Sequence, residues 1–128
     1  MDITSVFNFD LWIKHFKDEK SFTGRFWKEI KDRNGFWFKI PDDSRGEKPY
    51  DAIACLNGQT YHIELKSGKN STKVDVFTML RPVQKRSLRK VAECGQNAIV
   101  VYYSITHHKY FVIPFEVDTQ KIEILLKN

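Results

Sequence analysis

Two carboxylates and a lysine, Asp51, Glu64 and Lys66, flank Asn57-Gly58, a dipeptide suited to a two-residue hairpin turn because both residues accept positive φ. With that pair as the loop, Leu56 opposes Gln59. Each step outward keeps the paired numbers summing to 115, so Asp51 stands opposite Glu64. Directly opposed residues share a sheet face with Cβ atoms roughly 4.5–5.5 Å apart, a spacing at which like charges repel. Lys66, two residues past Glu64, emerges on the same face about 6.6 Å further along. A hard divalent cation takes oxygen ligands and keeps water in its other positions, so an Asp–Glu pair suits Mg²⁺, with Mn²⁺ as a substitute. Such an ion can hold a phosphate, offset its developing charge and help turn bound water into hydroxide. A neighbouring ammonium can stabilise the same charge. The plain alternative is an exposed hairpin face on which Lys66 screens two acids.

The elements that must position these residues read as follows. Strands are predicted over residues 50–56 and 60–66, preceded by an aromatic-rich strand over 36–40 and a loop over 41–46 rich in turn residues. Upstream, Asp10 is the expected cap of a first helix running to Glu19. Ser21 is the expected cap of a second, in which Phe22, Phe26, Ile30 and Arg33 recur at helical spacing until Asn34-Gly35 ends it. Residues 67–72 form a polar loop. A helix then runs from Pro82 to Gly95, with Val83, Gln84, Ser87, Leu88 and Val91 facing inward. The continuous apolar run 98–103 suits a buried strand, and His107-His108 marks a turn, with no role assigned, before a strand over 110–113. Residues 115–128 are ambiguous. The order is α-α-β-β-β-α-β-β plus a tail, an α/β or α+β sandwich.

Size and charge bound the reading. A chain of 128 residues fits one domain with a continuous core, and 41% hydrophobic with 29% charged residues is ordinary for a globular protein. The run 98–103 is far too short to cross a bilayer, and the first five residues lack a secretion pattern, so no membrane partner and a cytoplasmic setting are expected. Cys55 and Cys94 read as reduced, structural thiols, without a second pair for a zinc site. Trp12, Trp27, Trp37 and the phenylalanines read as core or dimer-contact residues, one of which can stack on an unpaired base. The net charge of +5 suits a polyanion.

Asp51, a twelve-residue interval and then Glu64-Leu65-Lys66 resemble the signature of the PD-(D/E)xK nuclease superfamily. Over residues 23–115 the chain is similar to its small Holliday-junction resolvases, the RecU-like group in particular. The resemblance implies a restriction-endonuclease-like core, a central mixed β-sheet flanked by helices. It implies that Asp51 and Glu64 are metal ligands, the Leu65 carbonyl a further ligand, and Lys66 the catalytic lysine. Glu29 matches the acid such resolvases carry on the preceding helix, and also suits a solvated helix position. Gln84 begins Gln84-Lys85-Arg86-Ser87-Leu88, which resembles the family's later helix motif. On the inward face, its amide either orients a water or phosphate of the site or is satisfied by backbone. The pattern departs from the family in having Tyr50 before Asp51, with Pro49 one residue back, and in a short 40–50 segment without a projecting stalk.

Cations surround the hairpin: Arg45 and Lys48 before Asp51, Lys69 and Lys73 after the catalytic strand. On the later helix, Lys85 faces Arg89 and Arg86 faces Lys90, like-charged pairs that an anionic partner would relieve. Arg45, Lys48, Lys69, Lys73, Lys85, Arg86 and Arg89 are therefore the expected DNA contacts. The leading expectation is a Mg²⁺-dependent endonuclease acting on four-way or branched DNA as a homodimer. The alternatives are a restriction-like or repair nuclease on linear duplex, or a non-catalytic DNA-binding module.

Overall fold

The computed structural model of the chain describes residues 3–9, 16–42, 45 and 48–126. A short helix α1 (Ile3–Val6) leads through Phe7 and Phe9, both buried, to helix α2 (Glu19–Asp32). Asp18 caps α2, its side chain accepting a 2.8 Å hydrogen bond from the Ser21 amide. Ser21 therefore lies inside the first turn instead of capping it, because the oxygen three residues upstream already takes its N–H. Of the expected helix over 10–19, residues 10–15 lie outside the described residues, Phe16 to Asp18 are not helical, and Glu19 opens α2. Phe22, Phe26 and Ile30, spaced by four, form the buried stripe. Asn34 takes φ 62°, and the Gly35 amide donates to the Ile30 carbonyl at 2.8 Å, closing the helix. A Cβ at Gly35 would lie 2.6 Å from Ile30 Cγ2, so the chain can turn this tightly only on glycine.

Five strands make the central sheet: β1 (Phe36–Lys39), β2 (Ala52–Leu56), β3 (Gln59–Gly68), β5 (Asn97–Ser104) and β6 (Lys109–Pro114), side by side in that order. Asn57 (φ 53°) and Gly58 (φ 77°) form the β2–β3 turn, and the pairs Leu56↔Gln59 and Ala52↔Ile63 give the expected register. β3 and β5 run parallel from Tyr61↔Asn97 to Gly68↔Ser104; the other neighbours are antiparallel. A parallel pair needs a long crossover, supplied here by helix α3 (Pro82–Glu93). Residues 98–104 of β5 are buried, as suits a strand covered on both faces.

One face of the sheet, with Ile63, Leu65, Ile99 and Val101, packs against Phe22, Phe26 and the N-terminal aromatics. The other face, with Val100 and Tyr102, packs against Leu88 of α3 and a small second sheet. That second sheet pairs β4 (Lys73–Asp75) with β7 (Glu123–Leu125) and is followed by a 3₁₀ turn over Val76–Met79. Asp75 Oδ1 joins the pieces, accepting from Phe77 N at 3.1 Å and Ile122 N at 2.8 Å. The ambiguous tail thus completes the second layer. Both cysteines are free, as expected, but exposed instead of built into the core, Cys55 on β2 and Cys94 at the end of α3. Trp27 is also exposed, Trp37 is half-buried against Phe26, and Trp12 lies outside the described residues.

Candidate active site

Asp51 sits immediately before the first residue of β2. Its amide donates to the Ile63 carbonyl and its own carbonyl accepts from the Ile40 amide, both at 2.9 Å, so the backbone is held between β1 and β3. The side chain is held as firmly: Oδ2 accepts from the Leu65 amide at 2.8 Å and Oδ1 pairs with Lys48 Nζ at 3.2 Å. Lys48 also reaches Asp42 Oδ1 at 3.1 Å, tying the loop before Asp51 to the site. Leu65 turns its N–H to this edge, and in a strand the carbonyl of the same residue faces the same neighbour, beyond Ala52, the first residue of β2.

Glu64 lies opposite and is only 2% exposed. Its Oε2 accepts from Gln84 Nε2 at 3.0 Å and pairs with Lys66 Nζ at 3.2 Å. Oε1 is buried with no hydrogen-bond partner among the described residues. Gln84 is itself pinned, its Oε1 accepting from the Arg81 amide at 2.9 Å at the start of α3. Burial pushes the Glu64 carboxyl from 4.5 up to about 8. The Asp51 charge adds to the rise and Lys66 opposes it.

A third acid reaches this centre, and it is Glu19. Burial raises its carboxyl, and so does Asp51, while Lys66, Lys48 and the Ser67 backbone favour its charged form. The expected helix acid, Glu29, is elsewhere, largely covered and held between Arg25 at 2.5 Å and Arg33 at 3.6 Å. Ten residues of helix put the two acids about 15 Å apart along the axis. The signal for Glu19 was its position just after Asp18: with the cap at Asp18, Glu19 opens the helix and the first turn points at the sheet edge.

The flanking cations divide. Arg45, Lys69 and Arg86 are exposed, and Lys48 is built into the carboxylate centre. Lys73 pairs with Glu123 at 3.8 Å. Of the two like-charged pairs on α3, Lys85 and Arg89 have partners inside the protein: Lys85 Nζ lies 4.4 Å from the centre of the Phe77 ring, and Arg89 donates to the Val117 and Thr119 carbonyls at 3.0 and 2.8 Å. Arg89 therefore closes the tail onto α3 and needs no anion to justify its place.

Two opposed carboxylates, an orphaned buried oxygen and a neighbouring backbone carbonyl fit a hard divalent ion. Among the described residues no three His, Cys, Asp or Glu side chains converge into a ready-made cage, so an ion held here would need water or substrate oxygens as well. A groove of about 890 Å³ between Phe7, Phe9 and β6 contains none of these groups. The carboxylates stand instead at the sheet edge, where Asp51 opens into a cleft of about 650 Å³.

No family model and no curated protein matches the chain. Among solved structures it is similar to Hjc of Archaeoglobus fulgidus, a Holliday junction resolvase from an archaeal hyperthermophile. The TM-score is 0.55 at 18% identity, covering 81% of this chain and 84% of that one. The fold is that of Hjc. A second solved structure, SSO0001, aligns with a TM-score of 0.37 at 16% identity, over 75% of this chain and 50% of its own, and has no bearing on the fold. The Hjc fold accounts for the mixed sheet between helices that the residues around Asp51 and Glu64 implied. No helix among the described residues is long and apolar enough to cross a membrane.

Proposed function

We propose that this protein is a Mg²⁺-dependent endonuclease that hydrolyses DNA phosphodiesters, with four-way or branched DNA as its substrate and a homodimer as its working form. The observation that carries the reading is Glu64: a buried carboxylate with one unpartnered oxygen, facing Asp51 and touching Lys66. An isolated buried charge is costly, and a second acid beside it raises the cost, unless a cation balances both. Asp51, Glu64 and the Leu65 carbonyl would hold the ion, with Mn²⁺ able to replace Mg²⁺. A bound Mg²⁺ would hold the scissile phosphate, offset its developing charge and lower the pKa of a water.

The chain's own residues do the positioning. The Leu65 amide fixes the Asp51 carboxylate, and Gln84, anchored on Arg81, fixes Glu64. Lys66, 3.2 Å from Glu64 Oε2, presents an ammonium at the same place. Once a cation shares the Glu64 charge, that ammonium is available to stabilise a non-bridging phosphate oxygen. Lys48 holds Asp51 and the preceding loop together. Arg45, Lys69, Lys73, Lys85 and Arg86 are cations placed to meet flanking phosphates, exchanging present partners for DNA where they have them. Two-fold pairing follows from the need for two cuts across a junction and from the prevalence of two-fold oligomers.

The test is cleavage of a labelled four-way junction and a linear duplex of matching sequence, each with Mg²⁺ or EDTA. Paired, Mg²⁺-dependent nicks at the junction are expected. Equal cutting of both substrates would leave the nuclease and remove the junction, and no cutting with any divalent ion would remove both.

A further inference from the structure

The cleft that opens at Asp51 has a feature phosphodiester hydrolysis does not need. One wall is the α2 stripe Lys20, Thr23, Gly24 and Trp27, at i, i+3, i+4 and i+7 on a single helix face. The facing wall is Trp37 and Lys39, two residues apart on β1 and therefore on the same side of that strand. Two indoles thus line one slot, and Trp27 is 40% exposed, a costly placement for the largest aromatic unless something covers it.

Gly24 points the same way. A glycine in mid-helix costs about 1 kcal/mol relative to alanine, yet a Cβ there would meet no neighbouring heavy atom within 4 Å. No packing contact within the described protein requires the missing side chain. It leaves an opening between Lys20 and Trp27 on the wall of the cleft. The acids of the cleft are Glu19, Asp42 and Asp51, and Lys48 bridges the last two. Trp27 lies about 12 Å along α2 from Glu19, so the aromatic slot adjoins the carboxylate centre without overlapping it.

A slot of two indoles flanked by lysines and open beside a phosphodiester site matches the chemistry of an unpaired nucleotide, a π-face joined to a phosphate. We infer that this cleft receives an unpaired base of the nucleic-acid strand, stacked on Trp27 and Trp37 with its phosphates toward Lys20 and Lys39, next to the bond to be cut. A base pair cannot enter in this way, so the cleft selects strands with unpaired nucleotides beside the cut. Lys31 Nζ lies 4.6 Å from the centre of the Trp27 ring, so the base takes the other ring face or displaces that lysine. The inference rests on the nuclease reading for its meaning, but its test does not use cleavage.

The test is binding of a ten-nucleotide oligothymidylate, and of a blunt duplex with as many phosphates, to the full chain in EDTA, followed by tryptophan fluorescence. Quenching by the single strand and tighter binding than to the duplex are expected. Trp27→Ala should weaken single-strand binding roughly 5- to 150-fold, the span of base–aromatic stacking, while duplex binding changes less than about 2-fold. Trp27→Phe should recover most of it, and Gly24→Leu, a good helix former that fills the slot, should weaken it without touching the indole. Circular dichroism checks each variant's fold, and Gly24→Leu carries the test if Trp27→Ala fails to fold. A folded Trp27→Ala or Gly24→Leu protein with wild-type affinity overturns the inference, as does a wild type that binds the duplex equally well. Loss of cleavage on every substrate with single-strand binding intact would instead refute the nuclease reading alone.

Discussion

Replacing Glu64 with glutamine should make the metal-free protein more stable, and more so as pH rises. The side chain is 2% exposed and its carboxyl is pushed from 4.5 to about 8, chiefly by burial and next by Asp51. Between those two pH values the folded state holds a proton that the unfolded chain has released. Folding stability therefore falls with rising pH across that window. The contribution of the neutral carboxyl is fully present below about 4.5 and is lost as pH passes through about 8. At about 1.36 kcal/mol per pH unit, the interval amounts to the order of 5 kcal/mol, a large fraction of a typical domain's stability. Glutamine has nearly the same shape and no proton to lose. Urea unfolding of both proteins in EDTA, at intervals from pH 5 to pH 9, isolates the effect because every other titrating group is common to the two. The advantage of Glu64→Gln should be smallest at pH 5, grow through pH 8 and then level off. A stability difference that stays flat with pH, or a wild type that gains on the variant as pH rises, would refute the burial argument. Saturating Mg²⁺ at pH 8 should narrow or reverse the order, since an ion that binds only the folded wild type stabilises it by mass action.

Ion binding should release a proton from the same group: calorimetry near pH 6.5 in buffers of different ionisation enthalpy should show close to one proton per Mg²⁺ for the wild type and almost none for Glu64→Gln. Truncating Gln84 to Ala strips partners from the Arg81 amide and from Glu64. It should lower stability by about 1–3 kcal/mol and weaken Mg²⁺ binding, both measurable by unfolding with and without the ion. Glu19→Gln should slow cleavage by about tenfold or more at saturating DNA, an effect of removing a charge within reach of the reacting groups. Glu29→Gln should leave the rate unchanged and cost only about 0.5–1 kcal/mol of stability from its ion pairs with Arg25 and Arg33.

The hairpin was legible because a two-residue Asn57-Gly58 turn leaves one register, and the register dictates which residues face each other. Pro82 and Gly95 bounded α3 for similarly local reasons, and the unbroken apolar run announced β5. The start of α2 was not legible in the same way. Asp18 and Ser21 are both good caps, and only the structure shows the Asp18 oxygen on the Ser21 amide. With the cap at Asp18, Glu19 becomes the first residue of the helix, at the end that adjoins the hairpin, a placement the sequence left undecided. β4 and β7 are three residues each, too short to carry a period, and they exist because they pair with each other across 47 or more residues. The partners of Lys85 and Arg89 on α3 were not legible for a related reason. Charge spacing reveals repulsion along a helix, but not that a Phe77 ring and two tail carbonyls lie within reach of Lys85 and Arg89.

The most direct test of the central claim is single-turnover cleavage of a labelled four-way junction in Mg²⁺ by the wild type, Asp51→Asn and Lys66→Ala, with fold and junction affinity measured in parallel. If Asp51 holds the ion and Lys66 stabilises charge at the phosphate, each substitution should reduce the rate by about a hundredfold or more while fold and binding survive. Cleavage by folded Asp51→Asn at the wild-type rate would contradict the account, because DNA hydrolysis would then owe nothing to the hairpin carboxylates.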